Sequence, residues 1–131
     1  MAAPSEATRR QTVAGWIVSG IAILFLVMDG TIKLVPIQPV IDTMRDLGWP
    51  TDPALMRLLG AMILVPTALY AFRRTAVLGA VLLTAFLGGA VATQVRIGAP
   101  LFSHILFGAY LGGLLWIGLY LRDPRLRVLL R

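Results

Sequence analysis

Four long apolar runs, separated by short polar punctuation, dominate the pattern of the chain. Each is close to the ~20 residues that an α-helix needs to cross a bilayer. The first extends from about Val13 to Val35 and ends at Pro36, and the second from about Ala54 to Phe72. The third covers about Ala76 to Val95 and the fourth about Leu101 to Leu121. Asp52 and Pro53 form a start signal for the second helix, the acid as N-cap and the proline at the first helical position. Arg73-Arg74 and Gly98-Ala99-Pro100 mark the next two turns, and Arg122-Asp123-Pro124 marks the stop. Such short connections make the second, third and fourth helices antiparallel neighbours. The longer link from Pro36 to Pro53 has a period of its own. Val40, Ile41, Met44 and Leu47 recur at helical spacing, with Asp42, Arg45 and Asp46 between them. That spacing predicts a short amphipathic helix at the membrane interface, closed by Gly48 and anchored by Trp49. An ordinary polar loop is the competing reading. The expected fold is therefore an all-α membrane protein, a four-transmembrane-helix bundle with a short interfacial helix between helices 1 and 2. A polar segment (1–12) precedes the transmembrane domain (13–121), and a basic tail (122–131) follows it.

Composition narrows the class further. With 58% hydrophobic and 14% charged residues, the chain has too little polar surface for a soluble domain of 131 residues. Its net charge is +6, but the basic residues sit at the ends of apolar runs and form no basic face. Nucleic acid is thereby excluded, and anionic lipid headgroups become the expected partners. The absence of cysteine removes disulfide exchange, thiolate nucleophiles and iron–sulfur ligation. Arg9, Arg10, Arg73, Arg74, Arg122, Arg125, Arg127 and Arg131 fall on one side of a four-span layout; Lys33, Arg45, Arg57 and Arg96 fall on the other. The positive-inside rule makes the arginine-rich side cytoplasmic, with N-in and C-in topology. The start superficially resembles a secretory signal. The first run is nevertheless as long as a full span, lacks an A-x-A cleavage site and is followed by three more, so it reads as a retained helix. Arg9-Arg10 lacks the surroundings of a twin-arginine signal.

The remaining polar residues gather at one depth, toward the outer face. Asp29 and Lys33 end helix one, Arg57 lies in the first turn of helix two, Gln94 and Arg96 end helix three, and Ser103 and His104 open helix four. The inner half offers hydroxyls such as Ser19, Thr67 and Thr84. Face-sharing with Gly108 and Gly112, a GxxxG pair, predicts that His104 points into the bundle. Arg57 shares a face with Gly60 and Ala61. Ala85, Gly88, Gly89 and Ala92 form a small-residue packing face on helix three, with Arg96 above it, and Pro66 should kink or loosen helix two. Ionisable groups within a span cost about 2.5–3.5 kcal/mol at the centre and less toward the interface. One acid, Asp29, stands against Lys33, Arg57 and Arg96, and this excess would suit a small anion, a lipid phosphate or a quinone carbonyl. Asp29, Lys33, Arg57, Gln94, Arg96 and His104 are thus the candidate ligand-binding residues. Snorkelling of the cations into headgroups and a purely structural Asp29–Lys33 bridge are the competing reading. As the only histidine, His104 rules out bis-His haem ligation within one chain, and no metal site is expected. It could relay a proton, bond a quinone oxygen or simply bond Gln94. No paired carboxylates, nucleophile–base pair, phosphate loop or HExxH occurs, which speaks against an independent hydrolase or kinase.

Several stretches resemble the DoxX-like small membrane proteins. They are Asp29-Gly30-Thr31-Ile32-Lys33, the run Leu87 to Arg96 (LGGAVATQVR), Pro100 to Phe107 (PLFSHILF), and the ending Leu119 to Arg127 (LYLRDPRLR). Their order and spacing cover the chain from Trp16 onward. The resemblance implies a bacterial inner-membrane protein with a four-helix bundle. It also implies relatives that include small subunits of quinone-linked sulfur oxidation and of membrane complexes for oxidative or thiol stress. Two departures from the family pattern stand out: Gln94 lies where relatives often carry histidine, and Ala61 and Met62 lie where many carry an acid.

Three functions are open at this point. One is an accessory subunit or small-ligand bundle that binds a quinone or lipid headgroup at the outer cluster, packs with other membrane subunits and is compatible with a homo-oligomer. Another is the membrane subunit of a quinone-linked oxidoreductase or oxidative-stress complex, whose cofactor a redox partner would carry, since no intrinsic cofactor is expected here. A small transporter is the third, and the apolar inner half argues against it.

Overall fold

The computed structural model describes residues 6–35 and 37–129, with side chains from Thr8 onward. Residues 1–5, Pro36, Leu130 and Arg131 lie outside the described residues. The expected stop at Pro36, the start of the polar segment and the cationic contribution of Arg131 therefore fall outside them too. Six α-helices follow one another: α1 (Glu6–Leu34), α2 (Gln38–Asp46), α3 (Pro53–Ala71), α4 (Ala76–Arg96), α5 (Phe107–Arg122) and α6 (Pro124–Leu129). A π-helical turn at Leu101–Ile105 leads into α5. Four stretches are long and apolar enough to cross a membrane: Thr8–Leu34, Pro53–Ala71, Ala76–Arg96 and Leu101–Arg122. Helix α1 starts well before Val13, so Arg9 and Arg10 sit on its first turns.

The four spans form a closed ring in chain order. Helix α1 packs on α3 and α5, and α4 packs on the same two from the opposite side. The buried face of α1 is Gly15, Ser19, Ala22, Leu26 and Gly30, a narrow helical stripe with glycine at both ends. Large apolar residues such as Ile17, Ile21 and Leu24 point outward, as a lipid-facing surface requires. The middle of the bundle is filled by Ala22, Leu26, Ile63, Leu83, Leu87, Leu111 and Leu115, packed side by side.

Backbone approach fixes the crossings. A Cβ on Gly118 would strike Ser19 Oγ and lie 2.9 Å from Ser19 N, and one on Gly15 would lie 2.6 Å from Arg122 N. At the other end of α1, a Cβ on Gly60 would lie 2.8 Å from the Gly30 carbonyl oxygen. Without interhelical hydrophobic drive in lipid, close dispersion contact of this kind supplies much of the adhesion. Gly108 behaves as the GxxxG pattern predicts, with Val91 and Leu87 directly over it, whereas Gly112 meets only Leu87 Cδ1 at 3.8 Å.

The expected small-residue face of α4 is corrected. Ala85, Gly88, Gly89 and Ala92 are exposed, and nothing lies within 4 Å of a Cβ built on Gly88 or Gly89. The inward face is Ala76, Gly79, Ala80, Leu83 and Leu87 instead. Gly89 and Leu87 are two residues apart, about 200° around the helix, so the glycine-rich stripe looks toward lipid. Helix α3 continues through Pro66, which is buried with its carbonyl near Gly79.

Candidate functional site

At the α2 end, the anticipated start of α3 is present: the Asp52 carboxylate accepts from Ala54 N at 3.0 Å, and Pro53 is the first helical residue. The short helix between the first two spans is also present. Val40 and Met44 are buried against Met56, with Ile32, Ile41 and Leu59 around them, so α2 is docked on α1 and α3 through its apolar face. Its last turn is held by Arg96, whose Nη2 donates to the Leu47 carbonyl at 2.5 Å. A cation on the orphan carbonyls of a helix C-terminus is favourable both as a hydrogen bond and against the helix dipole. Gly48 turns the chain just beyond, at φ +79°, a left-handed conformation that favours glycine.

The six candidate residues are only partly brought together. Lys33 Nζ donates to Asp29 Oδ1 at 2.7 Å, and this pair is half-buried. Arg57 is exposed. Met56, four residues before Gly60, occupies the buried position of that turn. His104 is exposed as well, against the expectation that it points into the bundle, and its Nδ1 bonds Ser103 Oγ at 2.7 Å rather than Gln94. The cause is the π-helical turn. Ile105 N and Leu106 N bond back to Pro100 and Leu101, five residues away, which breaks the four-residue stacking of His104 beneath Gly108. Gln94 is half-buried, and Arg96 is exposed and tied to Leu47. Among the described residues, no hydrogen bond joins Arg57, Gln94 or His104 to the Asp29–Lys33 pair.

The opposite, arginine-rich end holds a polar network that the sequence reading missed. Tyr70 is fully buried; its hydroxyl donates to the Leu115 carbonyl at 2.5 Å and, its single proton being used, accepts from Ser19 Oγ at 3.0 Å. The Tyr70 carbonyl belongs to the last turn of α3, where no following helical N–H can reach it. Arg122 Nη2 donates to it at 2.6 Å. The same guanidinium stacks over the rings of Trp16, at 4.2 Å, and Tyr70, at 4.5 Å. Only 8% of Arg122 is exposed, and its Nε is buried with no partner among the described residues. The last span ends at Arg122, as the Arg122-Asp123-Pro124 stop predicts, and the side chain is buried as well: Leu111, Leu115, Gly118, Leu119 and Arg122 follow one helical stripe.

Asp123 is buried at the same end and is held by Arg125 through Nε at 3.2 Å and Nη2 at 3.0 Å. Burial alone would raise this carboxyl, but the hydrogen bonds and charge of Arg125, together with the charge of Arg73, outweigh it and leave the group below its ordinary 3.8. Arg125 is correspondingly raised, first by its hydrogen bond to Asp123 and then by that charge. A further bond from Arg125 reaches the Arg73 carbonyl and ties the tail to the α3–α4 turn. A cleft of about 410 Å³ opens beside this network, between the first turns of α1, the α3–α4 turn and the end of α5.

The fold and its two polar ends define an integral membrane protein, a four-span helical bundle. Residues 17–118 match the model of the DoxX-like family, and the chain belongs to that family. Comparison with curated proteins and with solved structures found no match.

Proposed function

We propose that this chain is a non-catalytic accessory bundle of the bacterial inner membrane, oriented N-in and C-in, whose α2 end binds an anionic headgroup or a quinone oxygen and meets partner membrane subunits. The observation that carries this reading is the 2.7 Å Asp29–Lys33 pair. Asp29 is the only acid within the four spans, and its charge is matched by Lys33. Arg57, which makes no ion pair among the described residues, is then an exposed cation at the same end, and His104 is exposed at that end as well. Helix α2 is fixed at this end by its buried Val40 and Met44 and turns its polar face, with Asp42, Thr43 and Arg45, outward. The apolar packing of Leu26, Ile63, Leu83, Leu111 and Leu115 in mid-bundle supports this reading over a small transporter, which would need polar groups there.

Native mass spectrometry of protein gently extracted from its own membrane, with fragmentation of the bound ligand, tests the reading. Arg57→Leu is expected to lower retention of that ligand several-fold, on the order of one charge-assisted contact, while helicity is unchanged. Unchanged retention would overturn it. A copurifying flavin or haem protein would instead favour the membrane subunit of a quinone-linked oxidoreductase and make His104 the first residue to substitute.

A further inference from the structure

The cleft at the arginine-rich end has the construction of an anion site, and it lies at the opposite end of the bundle from the site proposed above. Arg9, Arg73 and Arg122 line it, and its apolar wall includes Val13, Trp16 and Leu119. Asp123 also lines it, but that carboxylate already accepts three bonds from Arg125, one from its backbone N and two from its guanidinium. Three cations therefore face the space against one acid whose charge is matched elsewhere. Arg122 is the built element. It is more than nine-tenths buried, clamped between two aromatic rings and fixed by one bond to Tyr70. A guanidinium has five N–H donors, and this one makes a single hydrogen bond among the described residues, with its buried Nε unpartnered. Nε is sealed within the packing, whereas Nη1 makes no hydrogen bond among the described residues and is not sealed, so an acceptor with several oxygens in the cleft can engage the outer edge of the guanidinium. Arg9 and Arg73 on the exposed rim add charge without needing to be held. The volume is within the range of small-ligand sites.

We propose that this cleft binds a phosphate group whose charge is not cancelled within its own molecule, either the headgroup of an anionic lipid or a free phosphate compound. The phosphate sits toward Arg122 with Arg9 and Arg73 closing over it, and an acyl chain, where there is one, lies along Trp16 and Val13. The test uses the full chain, delipidated in a neutral detergent and titrated in native mass spectrometry with dihexanoyl phosphatidylglycerol. The same titration is run with dihexanoyl phosphatidylcholine, which carries the same chains and a phosphate but also its own cation. One phosphatidylglycerol per chain is expected, held several-fold more tightly than phosphatidylcholine. The double variant Arg9→Gln/Arg73→Gln should weaken it about three- to tenfold, the sum expected of two exposed charge contacts. Arg122→Lys should weaken it as well, because it keeps the charge and loses the fork. Arg45→Gln on α2 removes the same kind of charge from the far end and should leave binding unchanged. Displacement of the lipid by inorganic phosphate would assign the site to free phosphate compounds, and failure of displacement would assign it to lipid. Equal affinity for the two lipids, or equal loss in Arg45→Gln and the rim double variant, would overturn the proposal.

Discussion

The two ends of the bundle use arginine in opposite ways. At the α2 end Arg96 lies on the surface, reaches across to one carbonyl and fastens a docked helix from outside. At the other end Arg122 lies within the packing, fills the space between Trp16 and Tyr70, and satisfies a helix terminus from inside. Position relative to water decides what each is worth. An exposed guanidinium exchanges water for a carbonyl at small net gain, whereas a buried one is stabilising only while its neighbours remain in place. The α2 end is thus an attachment, and the arginine-rich end is a closure.

Three perturbations separate these roles, taken from the largest expected effect to the smallest. Gly118→Val puts a branched side chain against Ser19 at the α1–α5 crossing and should cost about 3 kcal/mol or more, enough to lose the folded bundle. Gly88→Val on the open face of α4 should cost within about 0.5 kcal/mol. Thermal unfolding in detergent, followed by circular dichroism, distinguishes the two, and equal losses would mean that the α1–α5 seam is not a tight one. Next, Tyr70→Phe removes the bond to Leu115 and leaves Ser19 buried without its partner, for about 1–3 kcal/mol over the whole molecule. Arg96→Leu should instead lower amide protection in α2 alone, by about 1 kcal/mol, with the four spans unaffected. Hydrogen exchange resolves this difference, and global loosening by Arg96→Leu would break the distinction between attachment and closure.

The smallest effect is that of pH on the tail. Asp123 titrates below its ordinary 3.8 in the folded chain, so the unfolded carboxyl binds its proton first as pH falls. The stabilisation is fully present above that ordinary value and is lost as pH drops through the lower folded one. Protection of the α6 amides should be flat from neutral pH down to about 4 and then decline. Asp123→Asn should abolish that dependence.

Much of this architecture is legible in the pattern of the chain, because span length and turn chemistry are local properties. The four runs, the Asp52-Pro53 start and the amphipathic Val40–Met44 period all carry directly into helices. Facing is less legible. His104 was placed inward by counting back in fours from Gly108, and a π-helical turn, which has no simple sequence mark, breaks that count. The glycines of α4 form a stripe as regular as its packing face, and only the neighbouring helices determine which stripe is covered. The burial of Arg122 was missed for the reverse reason. Its charge marks the stop, and its register with Leu115, Gly118 and Leu119 also places it on the buried stripe. A charged residue on an otherwise apolar helical face would have been the signal to follow.

The pairing of α1 with both α3 and α5 has a consequence for biosynthesis. Its glycines meet α3 at one end and α5 at the other, so of these four spans α1 waits longest for its last partner. Until α5 arrives, Tyr70 lacks the Leu115 carbonyl, and the α3 terminus lacks Arg122. A nascent chain halted before that point leaves these polar groups without partners in lipid, a cost that the completed bundle does not carry.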